Sequence, residues 1–335
     1  MSTAPGFSAR LTEIMQRCNV RCTPEEFHNA VNVTFHEHES EEYDQGHRSM
    51  WECLPRQFSL LVGDWLESAP PPPQEIHLLD IGCGTGLASY SLRKSPIGDR
   101  IRSVTLLDTS PAMLRRAAER VRQWNVPYTC KQGIVQSLDS AQRYDLIAAC
   151  SLLHHVPDLP GFLGAVRGLQ ADHGVFLHLQ DPNADSLNDP ELQNRLARLS
   201  TSRPEWLGRL SPKRIVGRAI RELTGKQGKD YIFKTNQALL GQGVISTPLT
   251  IPELFSIIDV HAIKGEGISM NKMRAWMSGY DCVSCRSYAF FGKLASELPP
   301  RYQRIEDDLI ERRSLTGSTL AAAWRLHSAA VLPLI

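Results

Sequence analysis

Three glycines at alternate positions, flanked by carboxylates, have the types and spacing most able to do chemistry in this chain. The stretch Leu78-Leu79-Asp80-Ile81-Gly82-Cys83-Gly84-Thr85-Gly86 is an apolar run that ends in an acid and turns on glycines. Glycine lets a backbone approach a ligand with no Cβ in the way. Twenty-two residues past Gly86, the run Val104-Thr105-Leu106-Leu107 ends in a second acid, Asp108. A carboxylate at such a strand end can accept hydrogen bonds from ribose hydroxyls. The spacing narrows the ligand. A dinucleotide turn reads G-x-G-x-x-G, with the last glycine packing the helix that holds a pyrophosphate. Here the position three past Gly84 is Leu87. Asp80 would repel a pyrophosphate and attract an ammonium group.

This stretch resembles motif I of the class I S-adenosylmethionine-dependent methyltransferases, and the resemblance spans about residues 75–294. It implies that Asp80 and the loop of Gly82, Cys83, Gly84 and Gly86 hold the methionine part of the cofactor, and Asp108 its ribose. Asp108-Thr109-Ser110-Pro111-Ala112-Met113 resembles motif II, which adds Thr109 and packs Met113 on the adenine. Gly133-Ile134 stands where the family often carries Gly-Asp. Ile134 and Val135 are then the adenine neighbours, with a backbone carbonyl or Gln136 in place of the missing acid. Asp139 lies too far along to substitute. Tyr43 and Cys150 complete the cofactor set. Cys150-Ser151-Leu152-Leu153-His154-His155-Val156-Pro157-Asp158 resembles the Leu-His-His-Val-x-Asp run of small-molecule members.

The acceptor side is more diffuse. Open α/β sheets bind ligands at the carboxyl ends of their strands, which is where His154 and His155 fall. Histidine titrates near neutrality, so either can serve as a base, or simply pack the loop. Glu41-Glu42-Tyr43-Asp44 resembles the Tyr-Asp lid of the family. Around it, His36, His38, Asp44 and His47 could bind a metal, supply a base, contact a charged acceptor or lie on a solvated helix. The reading adopted has His155, His36 and His47 as catalytic groups. His38, Trp51, His154 and Asp181 are substrate contacts, and no metal is assigned. Trp51 also belongs to a helical stripe with Leu54, Phe58, Leu61 and Trp65 that reads as core. Asp259, His261 and Tyr288 are polar groups on late elements.

These residues need a scaffold. Apolar runs at 77–81, 103–108, 128–131, 144–149 and 174–180 alternate with helical stretches, which predicts a parallel sheet covered on both faces. Tyr280 to Cys285 and Ser287 to Leu294 read as a closing hairpin, strands 6 and 7. The expected architecture is α/β, a Rossmann-like seven-stranded, mostly parallel sheet with helices on both faces. To it are added an N-terminal helical lid and a helical insertion after strand 5. The expected divisions are 1–74 (lid), 75–184 (cofactor core), 185–250 (cap insertion), 251–296 (end of the core) and 297–335 (a terminal helix).

Composition bounds the function. The chain has 335 residues, 42% of them apolar, and a net charge of +1, which argues against a nucleic-acid partner. A basic segment, 203–229, keeps an anionic acceptor in view. No apolar run reaches the roughly 18 residues of a membrane span, and the start lacks the regions of a signal peptide. A cytoplasmic location is expected. Of eight cysteines, Cys83, Cys130 and Cys150 sit in core-like contexts, and Cys18, Cys22, Cys282 and Cys285 could make a zinc site only if the chain ends met. The expected function is methyl transfer from S-adenosylmethionine to a small-molecule, biosynthetic acceptor by in-line displacement. The alternatives are an RNA or protein methyltransferase using 203–229, or a protein that binds the cofactor without transferring its methyl group. The sequence sets no oligomeric state.

Overall fold

The computed structural model describes residues 9–201, 228–261 and 267–327. The basic segment 203–229 therefore falls almost entirely outside the described residues. Seven strands form one sheet in the order β3-β2-β1-β4-β5-β7-β6. They are β1 (Ile76–Ile81), β2 (Ile101–Asp108), β3 (Tyr128–Gln132), β4 (Tyr144–Cys150), β5 (Gln170–Pro182), β6 (Tyr280–Tyr288) and β7 (Thr319–Leu326). The first five are parallel, and β7 runs antiparallel between β5 and β6. β1 and β4 are near-continuous buried runs because helices cover both faces of the sheet.

The helices in chain order are α1 (Ala9–Arg17), α2 (Pro24–Glu39), α3 (Tyr43–Gly46), α4 (Arg48–Leu66), α5 (Leu87–Arg93), α6 (Pro111–Val121), α7 (Leu159–Leu169), α8 (Pro190–Thr201), α9 (Gly228–Gly241), α10 (Ile251–Ile258), α11 (Met270–Trp276) and α12 (Pro300–Glu311). One core joins α4, α5, α6 and α12 to one sheet face, and a second joins α7 and α11 to the other. A third core lies off the sheet, where Leu11, Ile14, Phe27, Val31 and Phe35 pack against Leu239, Leu254 and Ile257. α1 and α2 thus share one apolar core with α9 and α10 and form a cap, whereas α4, expected in the lid, packs on the sheet. Thr23 starts α2 with a capping box to Glu26, followed by a first-turn proline.

The end of the chain corrects the sequence reading. Residues 280–288 are one strand rather than the first half of a hairpin, and Ser287 to Leu294 is not a strand. The extended run breaks where Ala289 and Gly292 take left-handed backbone (φ 59° and 65°) and Phe290 and Phe291 turn into the core. The seventh strand is Thr319–Leu326, inside the stretch read as a terminal helix. Its Ala321-Ala322-Ala323 run has little β propensity. Small side chains nonetheless fit a central strand that is buried on both faces.

Candidate active site

A cavity of about 1110 Å³ opens at the carboxyl ends of β1, β2 and β4, beneath the cap. That is large for a single ligand and has room for a nucleoside cofactor beside an acceptor. One end is the glycine loop. Gly82 and Gly86 have φ of 60° and 90°, and a Cβ on Gly82 would lie 2.6 Å from Leu152 Cδ1. The left-handed backbone at Gly82 favours glycine, and any side chain there would have to displace Leu152. Asp108 lines the cavity, with Oδ2 accepting from the Gly84 N–H at 2.8 Å and Oδ1 from Ser110 N–H at 2.9 Å. Burial raises its pKa against these bonds. Tyr43, Gly82, Gly84, Thr109, Met113, Ile134, Val135, Gln136 and Cys150 line the same space.

Asp80 departs from expectation. It is fully buried and does not line the cavity. Its Oδ2 accepts from Ser89 N–H at 3.0 Å and Ser89 Oγ at 2.5 Å, which ties β1 to α5, while Oδ1 has no partner. Burial pushes its carboxyl up to about 7, and the Ser89 bonds only partly oppose this. Cys83 and Gly86 are likewise absent from the cavity wall. Cys130 is exposed, because β3 is an edge strand, which corrects its core assignment.

The other end is one stripe of α2. Glu25, His28, Asn29, Asn32, Val33 and His36 all line the cavity, at the spacing of a single helix face. The i, i+4, i+8 spacing of His28, Asn32 and His36 is a signal the sequence reading passed over. Glu39, one turn on, explains the lid histidines: its carboxylate takes His36 Nδ1 at 3.0 Å and His47 Nε2 at 3.2 Å. Burial would raise Glu39, but the two imidazoles hold it down at about 2. His28, by contrast, is pushed down to about 4, by burial first and then by His155.

Facing α2 is the loop after β4. His36 and His155 meet edge to face at 5.6 Å, and His154 lies 4.0 Å from His155. His155 lines the cavity, with Nδ1 3.0 Å from the Ile258 carbonyl and 3.2 Å from Asp259 Oδ1. Burial works to lower its pKa, but Asp259 and that carbonyl raise it overall. His154 is buried behind it, its Nδ1 2.9 Å from Asp181 Oδ1. Its pKa is lowered by burial and by His155, whereas Asp181 is held at about 2 by His154 and His178 in spite of burial. Asp259, a late polar group with no local motif around it, is thus brought to the site by the fold alone.

Several predicted contacts lie elsewhere. His38, His47, Trp51, His154 and Asp181 do not line the cavity. Trp51 packs against Tyr90 and lies under Arg120, whose guanidinium is 4.1 Å from the ring, so the core reading of that stripe describes it. Asp44 does not join the histidines. It accepts from Thr85 Oγ1 at 2.6 Å and from Arg120 Nη2 at 2.7 Å, fastening the lid to the glycine loop. Glu37 makes a second fastening, accepting from Ser110 Oγ at 3.0 Å. Among the described residues the cysteines at 18, 22, 282 and 285 form no metal-ligating group.

Residues 79–176 match the family model described as a methyltransferase domain. The chain is 30% identical over 108 residues to a ubiquinone biosynthesis O-methyltransferase of Methylobacterium nodulans, which covers 32% of this chain and 41% of that relative. A Coxiella burnetii protein of the same name is 38% identical over 82 residues, covering 24% of this chain and 33% of the relative. The chain thus matches less than half the length of these relatives. Among solved structures it is similar to the plantazolicin methyltransferase BpumL in complex with SAH, with a TM-score of 0.43, 12% identity, and coverage of 91% of this chain and 99% of that one. The matched region, residues 79–176, is thus a methyltransferase domain, and it contains both the glycine loop and Asp108.

Proposed function

We propose that the protein transfers a methyl group from S-adenosylmethionine to a small-molecule acceptor bound between α2 and the loop after β4. The observation that carries this reading is the single cavity joining the glycine loop and Asp108 to a wall of His28, Asn32, His36 and His155. The cofactor residues fit a nucleoside with a short charged arm. Gly84 has open space where a Cβ would stand, and Asp108 presents a carboxylate already oriented by two N–H groups. Asp108 holds the ribose, Met113 and Val135 flank the adenine, and Gln136 stands at the adenine edge that lacks an acid. Asp80 acts from behind the cavity wall, anchoring α5 under the loop through Ser89.

When bound, the cofactor supplies an activated methyl on sulfonium, so the chain has to position the acceptor and remove a proton. His36 takes that proton. Its Nδ1 is engaged by ionised Glu39, which leaves Nε2 as the free base and steadies the positive charge that forms. His47 braces Glu39 from the other side, so its role is positioning. The Asp44 and Glu37 fastenings hold the lid over the cofactor end and exclude water. The relatives' printed name, an O-methyltransferase of ubiquinone biosynthesis, supports an acceptor hydroxyl.

Incubating the protein with methyl-tritiated S-adenosylmethionine and a fractionated cell extract tests this. Label is expected in the small-molecule fraction. Label confined to the RNA or protein precipitate would overturn the acceptor class, and cofactor binding with no transfer to any fraction would overturn the reaction.

A further inference from the structure

One cluster remains unassigned after the cofactor and the base are placed. His154, His155 and Asp259 each bring a donor atom to within 4.8 Å of the others, and they are the only such group among the described residues. Asp259 Oδ1 lies 3.2 Å from His155 Nδ1 and 3.8 Å from His154 Nε2. A tetrahedral ion with metal–ligand bonds of about 2.0–2.2 Å sets neighbouring donors about 3.3–3.6 Å apart. Both contacts of Asp259 lie within a few tenths of an ångström of that spacing.

Two further observations point to a cation. His154 Nδ1 is engaged by Asp181 at 2.9 Å, which fixes the ring and turns Nε2 toward Asp259. A carboxylate on the far nitrogen is the usual support of a metal-ligating histidine. The second is charge. Asp181 is fully buried, and the ion-pair partners of Asp181 and Asp259 are histidines, with no lysine or arginine among the described residues. A carboxylate withdrawn from water with no permanent cation beside it is costly, and a divalent ion bound to its partner His154 would offset that.

We propose that His154, His155 and Asp259 bind a divalent transition-metal ion. Two imidazoles and one carboxylate suit zinc, iron(II) or cobalt(II) better than magnesium or calcium. The ion takes the place of the proton that His155 Nδ1 shares with Asp259 and the Ile258 carbonyl. Of the three ligands His155 lines the cavity, so the ion would sit behind its wall and fix the ring that meets His36. The site stands apart from the lid, where Glu39 and Asp44 already engage the histidine and arginine partners nearest them.

The test is titration of the full chain, stripped with a chelator, with cobalt(II) chloride and then zinc chloride. The expected result is one ion per chain, with visible absorption of a nitrogen- and oxygen-ligated cobalt that zinc displaces. Asp259→Asn and, as a second variant, His154→Gln should abolish saturable binding. Asp181→Asn should weaken it by about 10–100-fold. Circular dichroism identifies any variant that does not fold. Affinity for S-adenosylhomocysteine should stay unchanged in Asp259→Asn, so loss of the metal site and failure of the cofactor reading register separately. The proposal is overturned if cobalt does not saturate, if both folded variants keep their ion, or if a thiolate absorption band appears and vanishes in Cys282→Ser.

Discussion

Asp80 and Glu39 are buried carboxylates behind opposite ends of one cavity, and their surroundings treat them in opposite ways. Asp80 has only the neutral donors of Ser89, and burial pushes it up to about 7. Glu39 sits between two imidazoles that hold it at about 2. The glycine end is thus built from backbone groups and neutral bonds over a short stretch of chain. The acceptor end is built from charged pairs between distant segments: α2, the loop after β4, the end of β5 and the residues after α10. A site of the first kind presents a fixed cradle whatever the acceptor. A site of the second kind depends on proton occupancy and on how the cap sits.

The sharpest way to break this contrast is Glu39→Gln. Loss of the anion removes the group that orients His36 and His47, and a positioned base contributes about 10²–10⁴-fold to a proton transfer. Label transfer should fall by about 100-fold or more, while affinity for S-adenosylhomocysteine changes by less than about threefold. Calorimetry beside the tritium assay checks both; a parallel loss of affinity would tie Glu39 to the wrong end.

Asp44→Asn probes the fastening between the ends. It weakens the ion pair with Arg120 while leaving an acceptor for Thr85. A partly buried charged hydrogen bond contributes about 1.5–3 kcal/mol, so S-adenosylhomocysteine should dissociate roughly tenfold faster. Stopped-flow fluorescence reads the rate, and an unchanged rate would mean that Asp44 does not hold the lid shut.

The smallest effect concerns pH. Asp80 keeps its proton in the folded chain up to about 7, whereas the unfolded chain releases it near 4. Its contribution is therefore complete below about pH 4 and is lost as pH rises through 7. Glu306, buried and also near 7, acts in the same direction. Glu39 acts in reverse: its contribution is present above the ordinary glutamate range and is lost as pH falls toward 2. Between pH 5 and 8 the Tm of the ligand-free protein should drop, and Asp80→Asn should shallow that drop by roughly 2–4 °C. An equal drop in Asp80→Asn would remove Asp80 from the account.

The same contrast explains what could be read from the sequence. The glycine loop, Asp108 and Met113 could be placed near one another because they lie within a contiguous strand-turn-helix-strand-helix, where spacing alone sets geometry. β1 to β5 were legible for the same reason. Residues joined only by tertiary contact were not. Glu39 was hidden among the acids of the lid, and its link to His47 needs the bend between α2 and α4. Asp259 reaches His155 from more than a hundred residues away. Asp80 was identified as an acid but not as a buried brace, because its partner Ser89 lies one turn into α5. β7 was missed because an alanine run advertises a helix unless its flanking strands are known.

The central claim is that this loop and Asp108 hold a nucleoside cofactor while the α2 wall does not. Calorimetric titration of S-adenosylhomocysteine into wild type and Asp108→Ala tests it most directly. Losing charged hydrogen bonds to both ribose hydroxyls should weaken binding by about 100-fold, with one site per chain retained in wild type. Equal affinity in the two proteins, or no binding to wild type, would contradict it.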